Sequence, residues 1–352
     1  MIETKEIPKS SENLTRQIGF LPHVLVALAL LIGVGFVSVH AWWLLVPTPS
    51  IRSGAKVVEI APHQGAMAVA RRLAVEGAIR SRLGFFLLAV FNGTAGSLKA
   101  GEYEIPQNAN TVQILGFLEE GRVRQHPILF AEGGTVRELA RILEAEGLAR
   151  GEDVLWLSRD PFFLRTMAIE APSLEGYLFP DTYHFFKGLS AEEMLARMVL
   201  RLRAQVTDDL LAQAEARGLT LHQLLTLASI IEREAVVPDE MPLISAVFWN
   251  RLKREMPLQA DPTVQYALGK DRQALTREDI QVDSPFNTYR VRGLPPGPIA
   301  SPGKAAIVAA LNPARVEYLY FVSTGDRRRH VFSATLAQHN SAVARYRVAK
   351  AR

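Results

Sequence analysis

The longest apolar run of the chain lies near its start. Residues 18–46 are apolar except for two histidines, one serine, and the glycines and proline between them. This run exceeds the roughly 20 residues that span a bilayer, and Trp42 and Trp43 close it, as aromatic rings often do at the headgroup level. We therefore predict a transmembrane helix over 18–46, after a short tail at 1–17 and before a linker at 47–56.

A cleaved signal peptide is the alternative interpretation of this run. Val39-His40-Ala41 loosely resembles a small-x-small cleavage site, but the apolar core is longer than the roughly 7 to 15 residues usual for such a peptide. Basic residues lie on both sides, with Lys9 and Arg16 before the run and Arg52 and Lys56 after it, so the positive-inside rule gives a weak orientation. Because some 300 residues follow the run, we expect the functional part outside the cytoplasm.

The next 70 residues alternate between strand and helix patterns. A strand is predicted at 57–60, helices at 66–76 and 81–91, and a second strand at 101–106, from the apolar spacing and the glycines that end each element. This order indicates a small β-α-α-β module over 57–125.

A possible internal repeat accompanies this module. "AVARRLAVEG" (68–77) and "ELARILEAEG" (138–147) share Ala, Arg, Leu, Glu and Gly at a constant offset, and 111–121 has a similar outline. Chance similarity between amphipathic helices is an equal alternative, because these residue types are good helix formers.

From residue 126 to 352 the pattern predicts a mixed α+β domain, so the fold class is α+β. The stretch 284–303 has no periodicity and is rich in Pro and Gly; loops of this length inside a domain are usually functional. Helices are predicted at 135–146, 192–217, 220–235, 240–253 and 334–349, and strands at 317–323 and 330–333.

Composition excludes several classes of function. The net charge of +4 and the pI near 9.3 come without a basic run interleaved with aromatics, so we expect no nucleic-acid partner. There are no cysteines, and the eight histidines form no His-Glu-x-x-His motif, so we expect no metal and no cofactor. The lack of cysteine is compatible with an oxidising, extracytoplasmic compartment.

One acidic residue lies on a face that is otherwise apolar. On a helical wheel of 220–236, Glu232 falls within the apolar arc one turn after Ala228, whereas Arg233 points away and Glu234 lies at the edge. Desolvation should raise the pKa of Glu232 above its usual value, as a general acid for a glycosidic oxygen requires. A buried glutamate that only caps or pairs with a neighbour is the alternative, and the wheel alone favours it.

Two other segments have structural interpretations. In "LQADPTVQYALG", Asp261 is predicted as a helix N-cap, Pro262 as the first helical residue and Gly269 as the terminator. The aromatics of "EGYLFPDTYHF" (175–185) suit stacking against sugars, but aromatics at this spacing are more often core.

Taken together, several sequence blocks resemble the endolytic murein transglycosylase family, the YceG-like proteins. The resemblance runs from about Val57 to the last helix. The blocks are "EGYLFPDTY" (175–183), "LASIIEREA" (227–235), "RLKREMPLQADPTVQYALG" (251–269), "SPFNTYRVRGLPPGPIASPG" (284–303), "NP" (312–313), "YLYFVS" (318–323) and "HVFSATLAQHN" (330–340).

The resemblance implies a membrane-anchored enzyme that cuts peptidoglycan. By it, 57–125 is a LysM-like glycan-binding module, 126–352 is the lytic transglycosylase domain, and Glu232 is the catalytic acid and base. The expected reaction cleaves the β-1,4 bond between N-acetylmuramic acid and N-acetylglucosamine within nascent strands, leaves 1,6-anhydromuramic ends and so ends strand elongation. Substrate-binding roles are expected for Gln259, Asn287, Tyr289, Asp181 and Asp261.

The same resemblance implies a location and partners. We expect a single-pass protein of the plasma (inner) membrane with its catalytic domain on the periplasmic or outer face, acting on glycan strands beside cell-wall synthases such as penicillin-binding proteins. "EREA" departs from the family pattern, which has Thr or Gly where Ala235 stands. Two alternatives remain: a muramidase that uses water, with Asp261 or Glu240 as a second acid, and a non-enzymatic glycan-binding scaffold.

Overall fold

The computed structural model describes residues 11–47, 55–324 and 329–350, and the chain divides into two compact units, 1–124 and 125–352. Its first helix, α1 (Ser11–Leu45), contains a 21-residue stretch, Leu25–Leu45, with a mean hydropathy of 2.2 and, among the side chains whose burial is described, no buried residue. That stretch is long and apolar enough to cross a membrane. Most of the predicted linker lies outside the described residues.

The first unit contains the predicted β-α-α-β order. After α1 it comprises β1 (Lys56–Ile60), α2 (Ala66–Val75), α3 (Arg82–Phe91), β2 (Gly101–Ile105) and α4 (Thr111–Glu120). β1 and β2 pair antiparallel, from Lys56 opposite Ile105 to Ile60 opposite Gly101. The helices cover one face of this hairpin with a core that includes Leu73, Phe85, Tyr103 and Leu115, because a two-stranded sheet is not stable by itself.

The second unit begins with a strand and a helix that repeat the first. β3 (His126–Phe130) and α5 (Val136–Ala145) start at 126 and 136, and β1 and α2 start at 56 and 66, so both pairs keep the same offset. β1 and β3 also share one burial pattern, with the third and fifth residues buried. The repetition seen in the sequence is therefore a repeated strand-turn-helix unit.

The remainder of the second unit is largely helical. Two further pairs of antiparallel strands, β3 with β4 and β5 with β6, lie among the helices. The elements are α6 (Gly151–Leu157), α7 (Pro161–Thr166), β4 (Asp181–Phe185), α8 (Ala191–Gln205), α9 (Asp208–Ala216), α10 (Leu221–Glu234), α11 (Met241–Lys253), α12 (Asp261–Leu268), α13 (Lys304–Leu311), β5 (Tyr320–Ser323), β6 (His330–Ser333) and α14 (Leu336–Lys350).

One predicted element is wrong and two interpretations are confirmed. The single helix predicted at 192–217 is two helices, because Thr207 leaves the helical conformation and its side chain caps α9 by accepting the N–H of Leu210. No helix and no named strand occurs over 284–303, as predicted. Tyr177 and Phe179 are almost fully buried, which confirms the core interpretation of the aromatic segment.

Candidate active site

Helix α10 is the central support of the site. It starts with a capping box in which Thr220 and Gln223 exchange hydrogen bonds, which satisfies two of the free backbone donors of the first turn. Leu225, Ala228 and Ile231 are fully buried on its apolar face. The helix is thereby fixed along its length, and its last turn carries Glu232 at a defined position.

The last part of the long loop, from Pro296 to Gly303, runs along α10. A ring nitrogen of His222 hydrogen-bonds to the carbonyl of Pro296 at 2.8 Å, and the Ser229 hydroxyl accepts the N–H of Ile299 at 3.1 Å. Seven helical residues rise by about 10 Å, and three extended residues span about the same length. The two contacts are therefore spaced equally along the helix and along the loop, so the loop lies alongside α10 between them.

This register brings the end of the loop to the candidate acid. The N–H of Gly303, the N-cap of α13, donates to Oε2 of Glu232 at 2.9 Å. Partial burial raises the pKa of Glu232, the Gly303 hydrogen bond and the charge of Arg272 lower it, and the charge of Glu132 raises it. Glu232 thus has the raised pKa that was expected of it as a general acid.

The turn after β3 forms the opposite wall. Gly133 N–H donates to the carbonyl of Ser301 and Ser301 N–H donates to the carbonyl of Gly134, both at 2.8 Å. Gly133 has φ +71°, and a Cβ placed on it would lie 3.3 Å from Cδ of Arg233 and 3.6 Å from Cγ of Glu232. The left-handed backbone favours glycine here, and the approach of Arg233 leaves little room for a Cβ.

Arg233 fixes this turn to α10. Its guanidinium donates to the carbonyl of Gly133 at 3.0 Å and lies 3.9 Å from the carboxylate of Asp271. The side chain of Arg233 is only 5% exposed, so the polar contact that it makes with this turn is buried.

Glu132 is a second carboxylate at the site, and the sequence analysis missed it. An ideal Cβ on Gly303 would lie 2.0 Å from Oε1 of Glu132, so the glycine that binds Glu232 also borders Glu132. Arg272, with φ +56°, was missed as well. Neither residue belongs to a motif; the paired glycines at 133 and 134, just before a predicted helix, were the available signal.

These residues line a cavity of about 420 Å³ that is open to solvent. Two of the predicted site residues, Glu232 and Asp261, are on its wall. Its lining residues are Glu132, Gly133, Glu232, Arg233, Glu234, Ala235, Asp261, Pro262, Gln265 and Arg272.

Asp261 does not cap α12, and that prediction is wrong. The N-cap is Ala260, and Asp261 is the first helical residue, with Gly269 ending the helix in a left-handed conformation as expected. The Asp261 carboxylate instead accepts the hydroxyl of Tyr289 at 2.6 Å. Burial, followed by the charge of Asp261, raises the pKa of Tyr289, so this phenol stays a hydrogen-bond donor.

The structure gives Asn287 a role within its own loop. Asn287 is fully buried, its amide donates to the carbonyls of Ile280 and Val282 at 2.8 Å, and its oxygen accepts the N–H of Tyr289 at 3.0 Å. Its hydrogen-bonding groups are therefore engaged, and its effect on the site is to hold Tyr289.

Gln259 and Asp181 do not line this cavity. Gln259 is exposed, has φ +50°, and its side-chain oxygen accepts from Arg251 at 3.3 Å. Asp181 forms an ion pair with Arg201 at 2.7 Å. Of the predicted residues, Glu232 and Asp261 therefore share the cavity wall, and Tyr289 is connected to it through its hydrogen bond to Asp261.

Of three more glutamates in the unit, Glu234 lines the same cavity as Glu232, whereas Glu175 and Glu240 do not. Burial raises the pKa of Glu234 to about 8, with the charge of Asp261 adding to the rise. Burial likewise raises the pKa of Glu175 to about 7. Glu240 is buried and accepts both the backbone N–H of His330, at 2.9 Å, and a hydrogen bond with its ring at 2.7 Å. That pairing removes Glu240 as a free second acid.

Comparisons with known proteins bear on this arrangement. The endolytic murein transglycosylase of Bacillus subtilis (strain 168) is 32% identical over 304 residues, which cover 82% of this chain and 84% of that protein. The protein of the same name from Streptococcus pneumoniae serotype 2 (strain D39 / NCTC 7466) is 31% identical over 280 residues, 71% of this chain and 51% of that protein. The chain thus spans about half the length of the pneumococcal relative.

A solved structure is also similar to this chain. The crystal structure of a YceG-like protein from Listeria monocytogenes matches with a TM-score of 0.58 and 35% sequence identity, over 82% of this chain and 98% of that one. The model of the YceG-like family matches residues 58–345, which include all of the residues that form the cavity. The chain therefore belongs to the YceG-like family.

Proposed function

We propose that the chain is an endolytic murein transglycosylase that cleaves the β-1,4 bond between N-acetylmuramic acid and N-acetylglucosamine inside glycan strands. The observation that carries this proposal is Glu232, a partly buried carboxyl with a raised pKa on the wall of a cavity about 420 Å³ in volume. A carboxyl that keeps its proton near neutral pH can protonate a poor leaving group. Two relatives carry the name endolytic murein transglycosylase, which supports murein as the substrate class.

In the proposed mechanism, Glu232 acts twice. Its carboxyl gives a proton to the glycosidic oxygen as the bond to the anomeric carbon of muramic acid breaks. The resulting carboxylate then accepts the proton of the 6-hydroxyl of the same sugar, which attacks that carbon and forms the 1,6-anhydro ring. No water is consumed, and the glutamate ends in its starting protonation state.

The surroundings of Glu232 suit both halves of this cycle. The Gly303 N–H and the Arg272 guanidinium favour the carboxylate formed after proton donation, whereas burial and Glu132 favour the acid. These opposed influences keep the pKa above its usual value without fixing the proton permanently. A carboxylate at Glu132, on the same cavity wall, would also stabilise an oxocarbenium-like transition state.

Several finer roles belong to the same proposal. Tyr289 and Asp261 would orient a sugar at the cavity wall, with Asn287 holding Tyr289, while Gln259 and Asp181 would bind more distant parts of the strand. The apolar helix α1 would anchor the chain in the plasma membrane with its catalytic unit outside, and the β-α-α-β module would bind glycan in a LysM-like way. Cleavage beside cell-wall synthases would end strand elongation.

A muramidase is the second candidate, because a second carboxylate shares the cavity. Most glycosidases that use water employ two carboxylates, and both Glu132 and Asp261 line the cavity with Glu232. In that case either of them would activate water, and the products would carry hydrated reducing ends.

The test is product analysis with the full chain in detergent on purified glycan strands, for wild type, Glu232→Gln and the control Glu215→Gln. Glu215 is an exposed glutamate of α9. Loss of a general acid should slow cleavage by about 10²- to 10⁴-fold, while the control should cleave normally. Wild-type fragments should each be lighter by one water than the products of hydrolysis.

Each other outcome is informative. Hydrated ends would support the muramidase and overturn the lytic mechanism. Unchanged cleavage by Glu232→Gln would remove Glu232 from the chemistry. Glycan binding without cleavage by the wild type would favour a scaffold.

A further inference from the structure

Helix α3 of the first unit carries an exposed apolar stripe. Its other face is buried, with Phe85 and Ala89 fully inside the core. The stripe residues recur at i, i+4, i+7 and i+8, which places them on one side of the helix. They are Leu83 (58% exposed), Leu87 (48%), Val90 (49%) and Phe91 (89%).

The start of α3 lies against the end of the apolar span. A Cβ placed on Gly84 would lie 3.1 Å from Cδ2 of Leu44, in the last turn of α1. The Arg80 guanidinium, just before α3, donates to the carbonyl of Pro47 at 2.9 Å. The stripe therefore begins at the level where the Leu25–Leu45 stretch ends.

We infer that α3 is an interfacial helix whose stripe, Leu83, Leu87, Val90 and Phe91, is covered by the acyl chains at the membrane surface. This inference rests on the proposed anchoring of α1 in the membrane. A bilayer that holds Leu25–Leu45 has its headgroup level near Trp42 and Trp43, one turn from the contact with α3. The bilayer is then the nearest apolar phase available to the stripe.

The shape and charge of α3 fit that position. Ten helical residues are about 15 Å long, and the stripe extends from the first to the last turn, as expected for a helix lying along the surface rather than pointing away from it. Arg80 and Arg82 are exposed at its start, where they can contact lipid phosphates. An apolar face with basic residues beside it is typical of interfacial helices.

Docking of α3 would limit the rotation of the first unit relative to the membrane. Anchoring by α1 alone leaves the unit free to turn about the span, whereas α1 and α3 together give it two attachments. The β-α-α-β module is then held in one orientation relative to the membrane.

Spin labelling of the full chain in liposomes tests this inference. The chain has no cysteine, so Leu87→Cys and Phe91→Cys each give one label site. Glu104→Cys, on an exposed residue of β2, is the matched control in the same unit. We expect the collision ratio of oxygen to a water-soluble nickel complex to be several-fold higher at 87 and 91 than at 104. Equal ratios at the three sites would overturn the inference.

Two further measurements separate the possible causes. Flotation after an alkaline wash tests the anchor by itself: failure to float would refute anchoring, whereas floating protein with nickel-accessible labels would refute only the docking of α3. Spin–spin broadening at 87 or 91, with both reagents excluded, would indicate a second copy on the stripe and overturn the lipid inference.

A charge variant provides the last control. With Leu87→Glu and Phe91→Glu together, a label at Leu83→Cys should become several-fold more accessible to nickel. The substituted side chains are exposed, so the core is left unchanged. A label at 83 that stays lipid-accessible in this background would also overturn the inference.

Discussion

Removal of one hydroxyl tests the register between α10 and the long loop. Ser229 is fully buried; its hydroxyl donates to the carbonyl of Thr226 at 2.8 Å and accepts the N–H of Ile299 at 3.1 Å. Ser229→Ala removes both contacts with almost no change in volume. The Ile299 N–H, itself in a buried residue, then loses its acceptor.

The magnitude follows from that orphaned donor. A buried polar group left without its partner costs about 1 to 3 kcal/mol, and the better helix propensity of alanine offsets about 0.5 kcal/mol of this. At 1.4 kcal/mol per factor of ten, a loss of about 0.5 to 2.5 kcal/mol corresponds to about 2- to 60-fold faster local opening. Because Gly303 lies four residues after Ile299, cleavage should also slow.

Hydrogen exchange measured by mass spectrometry on peptides covering 296–303 is the assay. The matched control is Ser245→Ala in α11. Ser245 is also fully buried, but in the described part of the chain its hydroxyl has no hydrogen-bond partner. This control should leave exchange over 296–303 unchanged and should leave overall stability equal or slightly higher.

The comparison of the two serines decides the matter. If Ser229→Ala and Ser245→Ala have the same effect on exchange over 296–303, the hydroxyl of Ser229 does not hold the loop. If exchange over 296–303 rises but cleavage is unaffected, Ser229 holds the loop, but this contact does not contribute to the position of Glu232 needed for cleavage.

Further predictions concern the charge around Glu232 and the packing of the loop. Because the acid form of Glu232 is needed, the rate of cleavage should fall as pH rises through the pKa of Glu232. In pH–rate profiles, Glu132→Gln should move this fall to lower pH and Arg272→Gln should move it to higher pH. Shifts in the same direction for both variants would contradict the assigned charge effects. Gly176→Ala should cost about 1 to 3 kcal/mol more in denaturant unfolding than Gly188→Ala, since both have positive φ but only a Cβ at 176 would meet Pro298, at 2.3 Å; equal costs would refute the clash.

Local sequence pattern was sufficient for most elements of the fold. The helix that bears Glu232 was predicted because its apolar positions repeat at helical spacing, and a capping box marks its start. The prediction over 192–217 failed at one position, where Thr207 is compatible with both a helix interior and a cap. Periodicity could not distinguish these, because the apolar spacing continues on both sides of the break.

The site itself was only partly predictable, because its contacts join distant segments. Glu232 meets Gly303 across 71 residues and Arg233 meets Gly133 across 100. No spacing rule reaches that far, so Glu132 and Arg272 escaped notice. Asp261 shows a related limit: its sequence context fits an N-cap, yet Tyr289, 28 residues later, takes its carboxylate.

The internal repeat helps to explain why residue 133, in the turn after β3, is a glycine. His63 in the turn after β1 and Gly133 in the turn after β3 occupy equivalent positions, and both have left-handed backbones, with φ of +61° and +71°. The first turn is exposed, so a side chain at 63 has room and the residue bears only the backbone strain. In the second copy the turn lies against Arg233 and Glu232, and a Cβ on residue 133 would be 3.3 Å and 3.6 Å from their side chains. The same local structure therefore has room for a histidine side chain in one copy and little room for a Cβ in the other, where the turn lies against Arg233.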